Sequence, residues 1–132
     1  MDHTIVFFDI PAGDVEKIKK FYSELFGWKI DRLPGPLEYY SVMTVPADEK
    51  RIPIRAGVNG GLYAKKDAQD PQMAKQQINY VWVESIDEYS KKIEKLGGKI
   101  KIPKTEVPGR LRWALAVDPD GTYFGLVEYI QK

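Results

Sequence analysis

Leu25-Phe26-Gly27-Trp28-Lys29-Ile30 and Leu96-Gly97-Gly98-Lys99-Ile100 are two versions of one pattern, in which a helix ends at a glycine and a strand begins. The stretches that precede them also correspond: Phe8-Asp9-Ile10-Pro11 in the first copy and Trp82-Val83-Glu84-Ser85 in the second. The second copy follows the first by 71 to 73 residues. A repeat of this length indicates one supersecondary unit that has been duplicated and fused.

Each copy has the pattern of a strand, a helix and three further strands. In the first copy, β-branched and aromatic residues predict a strand over 5–10, and Asp14 then stands where a helix N-cap belongs. Apolar residues at helical spacing run from Ile18 to Phe26, and three strands follow. In the second copy, Ser85 and Glu88 have the spacing of a capping box at the start of the helix.

The predicted organisation is therefore a single domain over 1–132, built from tandem βαβββ units at 1–64 and 78–132. The segment 65–77 is polar, contains a proline and shows little periodicity, so it is predicted to be the linker. One helix can cover only one face of a four-stranded sheet, and the other face must meet something else. We expect an α+β fold in which the two units form a paired curved mixed sheet around a central cleft.

Composition excludes several classes of protein. The chain has 132 residues, a formal net charge of +1 and no cysteine. The absence of cysteine excludes disulfides, thiolate catalysis and cysteine-ligated metal centres. The balanced charge argues against a nucleic-acid partner, which would require a concentrated basic surface. No apolar run is long enough to span a membrane, and no signal peptide is evident, so a cytoplasmic location is expected.

The element order and several local motifs resemble the vicinal oxygen chelate superfamily, which contains glyoxalase I, extradiol dioxygenases and bleomycin-resistance proteins. The motifs are Phe21-Tyr22, Phe26-Gly27-Trp28, Gly97-Gly98 and the turn Asp118-Pro119-Asp120-Gly121. Phe8-Asp9-Ile10-Pro11-Ala12 resembles in particular a glyoxalase-like branch. The resemblance implies the glyoxalase-like fold, and it implies pairing of units within one chain or across a homodimer. One fold hosts many chemistries, so the reaction does not follow from it.

The resemblance also implies where a divalent metal would be held, namely by a His on the first strand and a Glu on the last strand of each unit. The corresponding positions here are Ile5 (or Phe7), Gly61, Ile78 (or Asn79) and Gly125. Asn79 alone among them has a side chain that could coordinate a metal, and only weakly. The single histidine, His3, lies near the terminus. We therefore expect neither a metal nor another cofactor.

Alternation along the strands predicts a cleft lined by aromatic and a few polar side chains, as in small-molecule pockets. The predicted ligand-binding residues are Phe7, Tyr39, Ser41, Tyr63, Tyr80, Trp82 and Arg112. Packing between the two sheets is the alternative role for the aromatic residues. Arg112 faces either the cleft, where it would need a carboxylate or an anionic ligand, or the solvent.

Asp9 and Glu84 occupy equivalent places in the repeat and are the candidate catalytic residues. If the two carboxyl groups lay close together, one pKa would be raised and the pair could transfer protons. The prediction that the sequence favours is a metal-independent small-molecule binding protein of the glyoxalase/bleomycin-resistance type. Two alternatives stay open: a lyase, isomerase or dioxygenase with a non-standard site, and an interaction module without a small ligand.

Overall fold

A computed structural model describes residues 1–130 and divides the chain into two compact units. The first unit consists of Phe7–Gln77, and the second combines Met1–Val6 with the chain from Ile78 onward. The N-terminal segment therefore belongs to the second unit, where the Thr4 carbonyl accepts a hydrogen bond from the Trp82 amide at 3.0 Å. Residues 131 and 132 of the predicted second unit lie outside the described residues.

The first unit contains four strands and one helix. Its elements are β1 (Ile5–Ala12), of which the first two residues belong to the second unit, α1 (Val15–Phe26), β2 (Lys29–Arg32), β3 (Tyr39–Met43) and β4 (Gly60–Ala64). The strand order is β2-β3-β4-β1, and β1 runs parallel to β4 while the other pairs are antiparallel. The predicted linker folds into two short 3-10 helices, Lys65–Asp67 and Met73–Lys75.

The second unit repeats this arrangement with β5 (Ile78–Trp82), α2 (Ile86–Lys95), β6 (Lys99–Val107), β7 (Leu111–Val117) and β8 (Tyr123–Tyr129). The order is β5-β8-β7-β6, and β5 runs parallel to β8. The predicted α+β class and the twofold βαβββ order are therefore confirmed. Strand β6 continues through Pro103, because the register shifts around this residue and so accommodates the missing amide hydrogen.

Both helices begin at the predicted caps. The Asp14 carboxylate accepts a hydrogen bond from the Lys17 amide at 3.1 Å, and the Ser85 hydroxyl accepts one from the Glu88 amide at 3.2 Å. Helix α1 ends at Gly27, whose φ of 72° lies in the left-handed region that favours glycine. Neither helix within residues 1–130 is long and apolar enough to cross a membrane.

Each unit has its core between the helix and one face of the sheet. In the first unit the core includes Ile10, Val42 and Leu62 from the sheet, with Ile18 and Tyr22 packed against them from α1. In the second unit it includes Val83, Ile86, Ala114 and Leu126, with Tyr89 and Ile93 packed from α2. Because strand side chains alternate between faces, these residues also fix which side chains lie on the face without a helix.

Candidate functional site

The helix-free face of the first unit carries a hydrogen-bonded carboxylate. Asp9 neighbours the core residue Ile10 and therefore points away from α1. Its side chain is buried, and its Oδ1 accepts a hydrogen bond from the Tyr39 hydroxyl at 2.6 Å. By the register of the sheet, Ser41 lies opposite Gly61 on the same face, and Tyr63 lies opposite Tyr39. Four predicted ligand-binding residues, Phe7, Tyr39, Ser41 and Tyr63, thus share this face with Asp9.

The Tyr63 hydroxyl is the unusual group of this face. It is buried and has no hydrogen-bond partner within residues 1–130. Burial, together with the negative charge of Asp9, raises the pKa of Tyr63 to about 12. The hydroxyl is therefore a proton donor with no acceptor in the described part of the chain, and leaving a buried donor unpaired costs free energy.

We expect Tyr63→Phe to raise the free energy of unfolding by about 1 kcal/mol, because it removes a buried group that makes no hydrogen bond. The matched control Tyr39→Phe should lower the free energy of unfolding by about 1 kcal/mol, because the hydrogen bond from the Tyr39 hydroxyl to the buried Asp9 carboxylate is lost. Urea titrations of both variants at pH 7 measure this difference. Equal effects of the two substitutions would contradict the assignment.

The Tyr63 hydroxyl also makes the stability of the folded chain depend on pH. The Tyr63 pKa is about 12 in the folded chain against an ordinary value of 10.0, so the folded state holds the proton more tightly. The resulting stabilisation is fully present below pH 10 and is lost as the pH rises through 12. We expect Tyr63→Phe to flatten the fall in stability over this range. Because the chain has eight tyrosines, the difference in tyrosinate absorbance at 295 nm between wild type and Tyr63→Phe follows the titration of this group.

Two tyrosine rings fill the space beside the two glycines where the resemblance placed metal ligands. A side chain at Gly61 would overlap the Tyr39 ring, and a side chain at Gly125 would overlap the Tyr80 ring. Tyr80 is the residue directly opposite Gly125 in the ladder between β5 and β8. In both units, therefore, a glycine on the last strand leaves room for a tyrosine ring from a neighbouring strand.

The residues at the remaining predicted metal positions do not fit a divalent cation. Ile5 is an exposed aliphatic side chain and Ile78 a fully buried one. The imidazole of His3 contacts the Trp82 carbonyl through Nδ1 at 3.0 Å and the Tyr89 hydroxyl through Nε2 at 2.7 Å. Within residues 1–130, no group of three or more His, Asp or Glu side chains is placed to hold a metal ion. The donor set implied by the resemblance is therefore not present in the described chain.

The second unit contains an open pocket of about 480 Å³ that brings three of the predicted site residues together, namely Trp82, Glu84 and Arg112. The Trp82 ring meets the Tyr129 ring edge to face, with centroids 5.7 Å apart. Glu84 is exposed and lies two residues after the end of β5. The full lining is Met1, Trp82, Val83, Glu84, Arg112, Glu128, Tyr129 and Ile130.

The sequence left open whether Arg112 faces the cleft, and by alternation along β7 it does not lie on the sheet face of Tyr80 and Trp82. Ala114, two residues along β7, packs in the α2 core, which places Arg112 on the helix side. Its Nη1 donates to Glu128 at 2.7 Å and its Nε to Glu106 at 3.1 Å. These hydrogen bonds, the one to Glu128 first, raise the pKa of the guanidinium. Arg112 reaches the pocket from the end of the sheet.

Five pocket residues were not predicted from the sequence, namely Met1, Val83, Glu128, Tyr129 and Ile130, and Glu128 is the charged one among them. One carboxylate oxygen binds Arg112, and the other accepts a hydrogen bond from the Ile86 amide at 2.8 Å, at the first turn of α2. The pairing of residues 112 and 128 follows from the β7–β8 register, which the turn between these strands sets. The pairing could have been predicted by counting residues outward along both strands from the turn Asp118-Pro119-Asp120-Gly121.

Asp9 and Glu84 have different surroundings. Asp9 is buried in the first unit and bonded to Tyr39, whereas Glu84 is exposed in the second unit at the rim of the pocket. Glu84 has no hydrogen bond or ion pair within the described 130 residues. The expectation that the two carboxyl groups act as a close pair stays a prediction.

Residues 1–126 match the family model described as the Glyoxalase/Bleomycin resistance protein/Dioxygenase superfamily. Over 122 residues, which are 89% of this chain, the sequence is 27% identical to CFP32 of Mycobacterium tuberculosis and Mycobacterium bovis, a protein that carries the provisional name of a glyoxylase. The chain spans only 42% of the length of these curated relatives.

Solved structures show the same fold at low sequence identity. A superfamily member from Vibrio splendidus 12B01 aligns with a TM-score of 0.64 and 11% identity, covering 96% of this chain and 99% of that one. Methylmalonyl-CoA epimerase from Mycobacterium tuberculosis aligns with a TM-score of 0.67 and 10% identity, covering 96% of this chain and 88% of the epimerase. At these identities the comparison establishes the fold alone.

Proposed function

Because the chain belongs to the Glyoxalase/Bleomycin resistance protein/Dioxygenase superfamily, we propose that it binds a small organic molecule without a metal, in the pocket of the second unit. One observation supports this proposal. The aromatic pair Trp82 and Tyr129 and the unpaired carboxylate of Glu84 line the same pocket. A concave site with aromatic walls and a few polar groups is typical of small-molecule binding.

The lining defines the chemistry of the ligand. A flat, apolar portion would lie against the rings of Trp82 and Tyr129, where aromatic contacts add to the burial of area. A hydrogen-bond donor or a positive charge on the ligand would bind the Glu84 carboxylate. Arg112 uses only Nε and Nη1 for Glu106 and Glu128, so its remaining N–H groups can donate to an acceptor on the same ligand. We therefore propose a planar ligand that carries both donors and acceptors.

The other predicted ligand-binding residues, Phe7, Tyr39, Ser41, Tyr63 and Tyr80, do not line this pocket. Their role in binding remains a prediction. The variants Tyr39→Phe and Tyr63→Phe separate the two regions: each should leave the affinity of a ligand bound in the second unit unchanged within about twofold.

Screening of planar heteroaromatic fragments that carry an amine or amidine tests the proposal. We expect Glu84→Gln, which keeps the shape and removes the charge, to weaken cationic fragments about tenfold, the value of one charge-assisted hydrogen bond. The matched control is Glu94→Gln, an exposed glutamate of α2 that is not part of the pocket lining, and it should have no effect. Binding unaffected by Glu84→Gln, or weakened equally by both variants, would contradict this site.

A second candidate function rests on the hydrogen bond between Asp9 and Tyr39, which holds a buried carboxylate in place on a glyoxalase-like sheet. In this alternative, Asp9 is a general base for a lyase or isomerase reaction. An assay with methylglyoxal and glutathione, with and without added Ni²⁺ or Zn²⁺, tests it. Turnover that Asp9→Asn abolishes would favour the enzyme. A chain with neither turnover nor fragment binding would favour the interaction module.

A further inference from the structure

The segment that precedes β1 is bound to the second unit by three hydrogen bonds. It consists of residues 1–4, and we call it the strap. The Thr4 carbonyl accepts from the Trp82 amide at 3.0 Å. One residue earlier, the His3 imidazole contacts the Trp82 carbonyl through Nδ1 at 3.0 Å and the Tyr89 hydroxyl through Nε2 at 2.7 Å. The strap is therefore attached both to the end of β5 and to α2.

The two ring nitrogens of His3 have different roles. A backbone carbonyl can only accept a hydrogen bond, so Nδ1 carries the proton, and Nε2 of the neutral imidazole then accepts from the Tyr89 hydroxyl. The two rings also meet edge to face, with centroids 5.0 Å apart. The Tyr89 ring packs against the α2 core, and the Lys92 ammonium lies 4.6 Å from its centroid. His3 thus binds a side chain whose position the second unit already fixes.

The strap also forms part of the proposed binding site. Met1 lines the pocket of the second unit together with Trp82 and Glu84. The Trp82 ring belongs to the pocket, while its backbone amide and carbonyl both bind the strap. If the strap moved away from β5, Met1 would leave the wall of the pocket and both backbone groups of Trp82 would lose their partners.

We propose that His3 is a positioning residue, which holds the strap against one wall of the pocket so that a bound ligand and the docked strap stabilise each other. This inference rests on the function proposed above. Ordering a short exposed segment costs conformational entropy of the same order as a few hydrogen bonds contribute. Without the His3 imidazole, only the hydrogen bond from the Trp82 amide to the Thr4 carbonyl is left of the three, and the undocked strap should predominate.

Titration calorimetry with benzamidine, a planar aromatic amidine, tests the proposal on the full chain. His3→Ala should raise the benzamidine Kd about tenfold, because the fraction of chains with a docked strap falls. His3→Asn keeps an N–H group for the Trp82 carbonyl and should raise the Kd only about threefold. Tyr89→Phe keeps the ring and removes the hydroxyl, so we expect about the same threefold change. Thr4→Ala keeps the backbone carbonyl and is the matched control, with a Kd within about twofold of wild type.

Hydrogen exchange of the Trp82 amide follows the strap without any ligand. His3→Ala should accelerate this exchange about tenfold, whereas the neighbouring Val83 amide, which binds the Val127 carbonyl, should exchange as in wild type. Because linkage is reciprocal, saturating benzamidine should slow exchange of the Trp82 amide in wild type by about the factor by which His3→Ala raises the Kd. A purely structural role for His3 would not produce this equality.

The proposed pocket and the role of His3 fail in different ways. If benzamidine does not bind the wild-type chain, or if Glu84→Gln leaves its Kd unchanged, the pocket is contradicted and the role of His3 with it. If Glu84→Gln weakens benzamidine but His3→Ala does not, only the role of His3 is overturned. It is also overturned if His3→Ala leaves exchange of the Trp82 amide unchanged, or if His3→Ala and Thr4→Ala raise the Kd equally.

Discussion

Replacing Gly125 with alanine should lower the free energy of unfolding by about 3 kcal/mol, the upper end of what overpacking a core costs. The new methyl group would overlap carbons of the Tyr80 ring. Tyr80 is 4% exposed, so other side chains would have to shift before its ring could move away. Urea unfolding measures the loss. Gly13→Ala is the matched control, because a side chain at Gly13 meets nothing within 4 Å, and it should change stability by less than about 0.5 kcal/mol.

A double-mutant cycle tests whether the Tyr80 ring causes the loss of stability in Gly125→Ala. In a Tyr80→Ala background, the space left by the ring accepts the methyl group, so the Gly125→Ala substitution should cost nothing or fill part of the cavity. We expect a coupling energy of about 2 to 3 kcal/mol between the two positions. If Gly125→Ala cost the same with and without the Tyr80 ring, the ring would not be what excludes a side chain from this position.

The second large effect concerns Glu128, whose two carboxylate oxygens bind Arg112 and the first turn of α2. Glu128→Ala should lower the free energy of unfolding by about 3 kcal/mol, because the Ile86 amide loses its acceptor and the Arg112 guanidinium keeps only its hydrogen bond to Glu106. Glu128→Gln keeps an oxygen for the Ile86 amide and should lose only about 1 kcal/mol.

Glu106 gives the matched control for this prediction. It also binds Arg112, but its side chain is 51% exposed, so its ion pair is worth little. We therefore expect Glu106→Gln to leave the urea midpoint nearly unchanged. Equal losses in Glu106→Gln and Glu128→Ala would show that the helix contact, which only Glu128 makes, contributes nothing. Glu128→Ala should also weaken binding in the pocket, since Arg112 loses the shorter of its two hydrogen bonds to carboxylates.

Much of the fold could be predicted because it depends on local and periodic signals. The caps at Asp14 and Ser85 and the helix end at Gly27 each depend on a few neighbouring residues, and the structure shows all three. The strand ends were less predictable. Strand β3 ends at Met43 and β4 begins at Gly60, because next to these ends the Asn59 side chain forms hydrogen bonds with the backbone of Thr44 and Val45, in place of ladder hydrogen bonds.

The candidate site was predictable only in part, because it depends on which strands become neighbours. The helix-free position of Asp9 and Tyr39 followed from alternation. The contact between the Tyr39 ring and Gly61 could not be predicted, since a contact between two strands produces no periodic pattern in the sequence. The sequence left two orientations open for Arg112, because the apolar residues around it permit either phase, and the packing of Ala114 in the α2 core sets the phase of β7.

The measurement that tests the central claim most directly is a titration of a planar cationic fragment followed by the assigned indole and amide NMR signals, in EDTA and then with added Zn²⁺. We predict that the signals of Trp82, Glu84 and Tyr129 shift together, with one dissociation constant that is the same in EDTA and in Zn²⁺. Binding that appears only when the metal is added, or shifts that leave these three residues unaffected, would contradict the account.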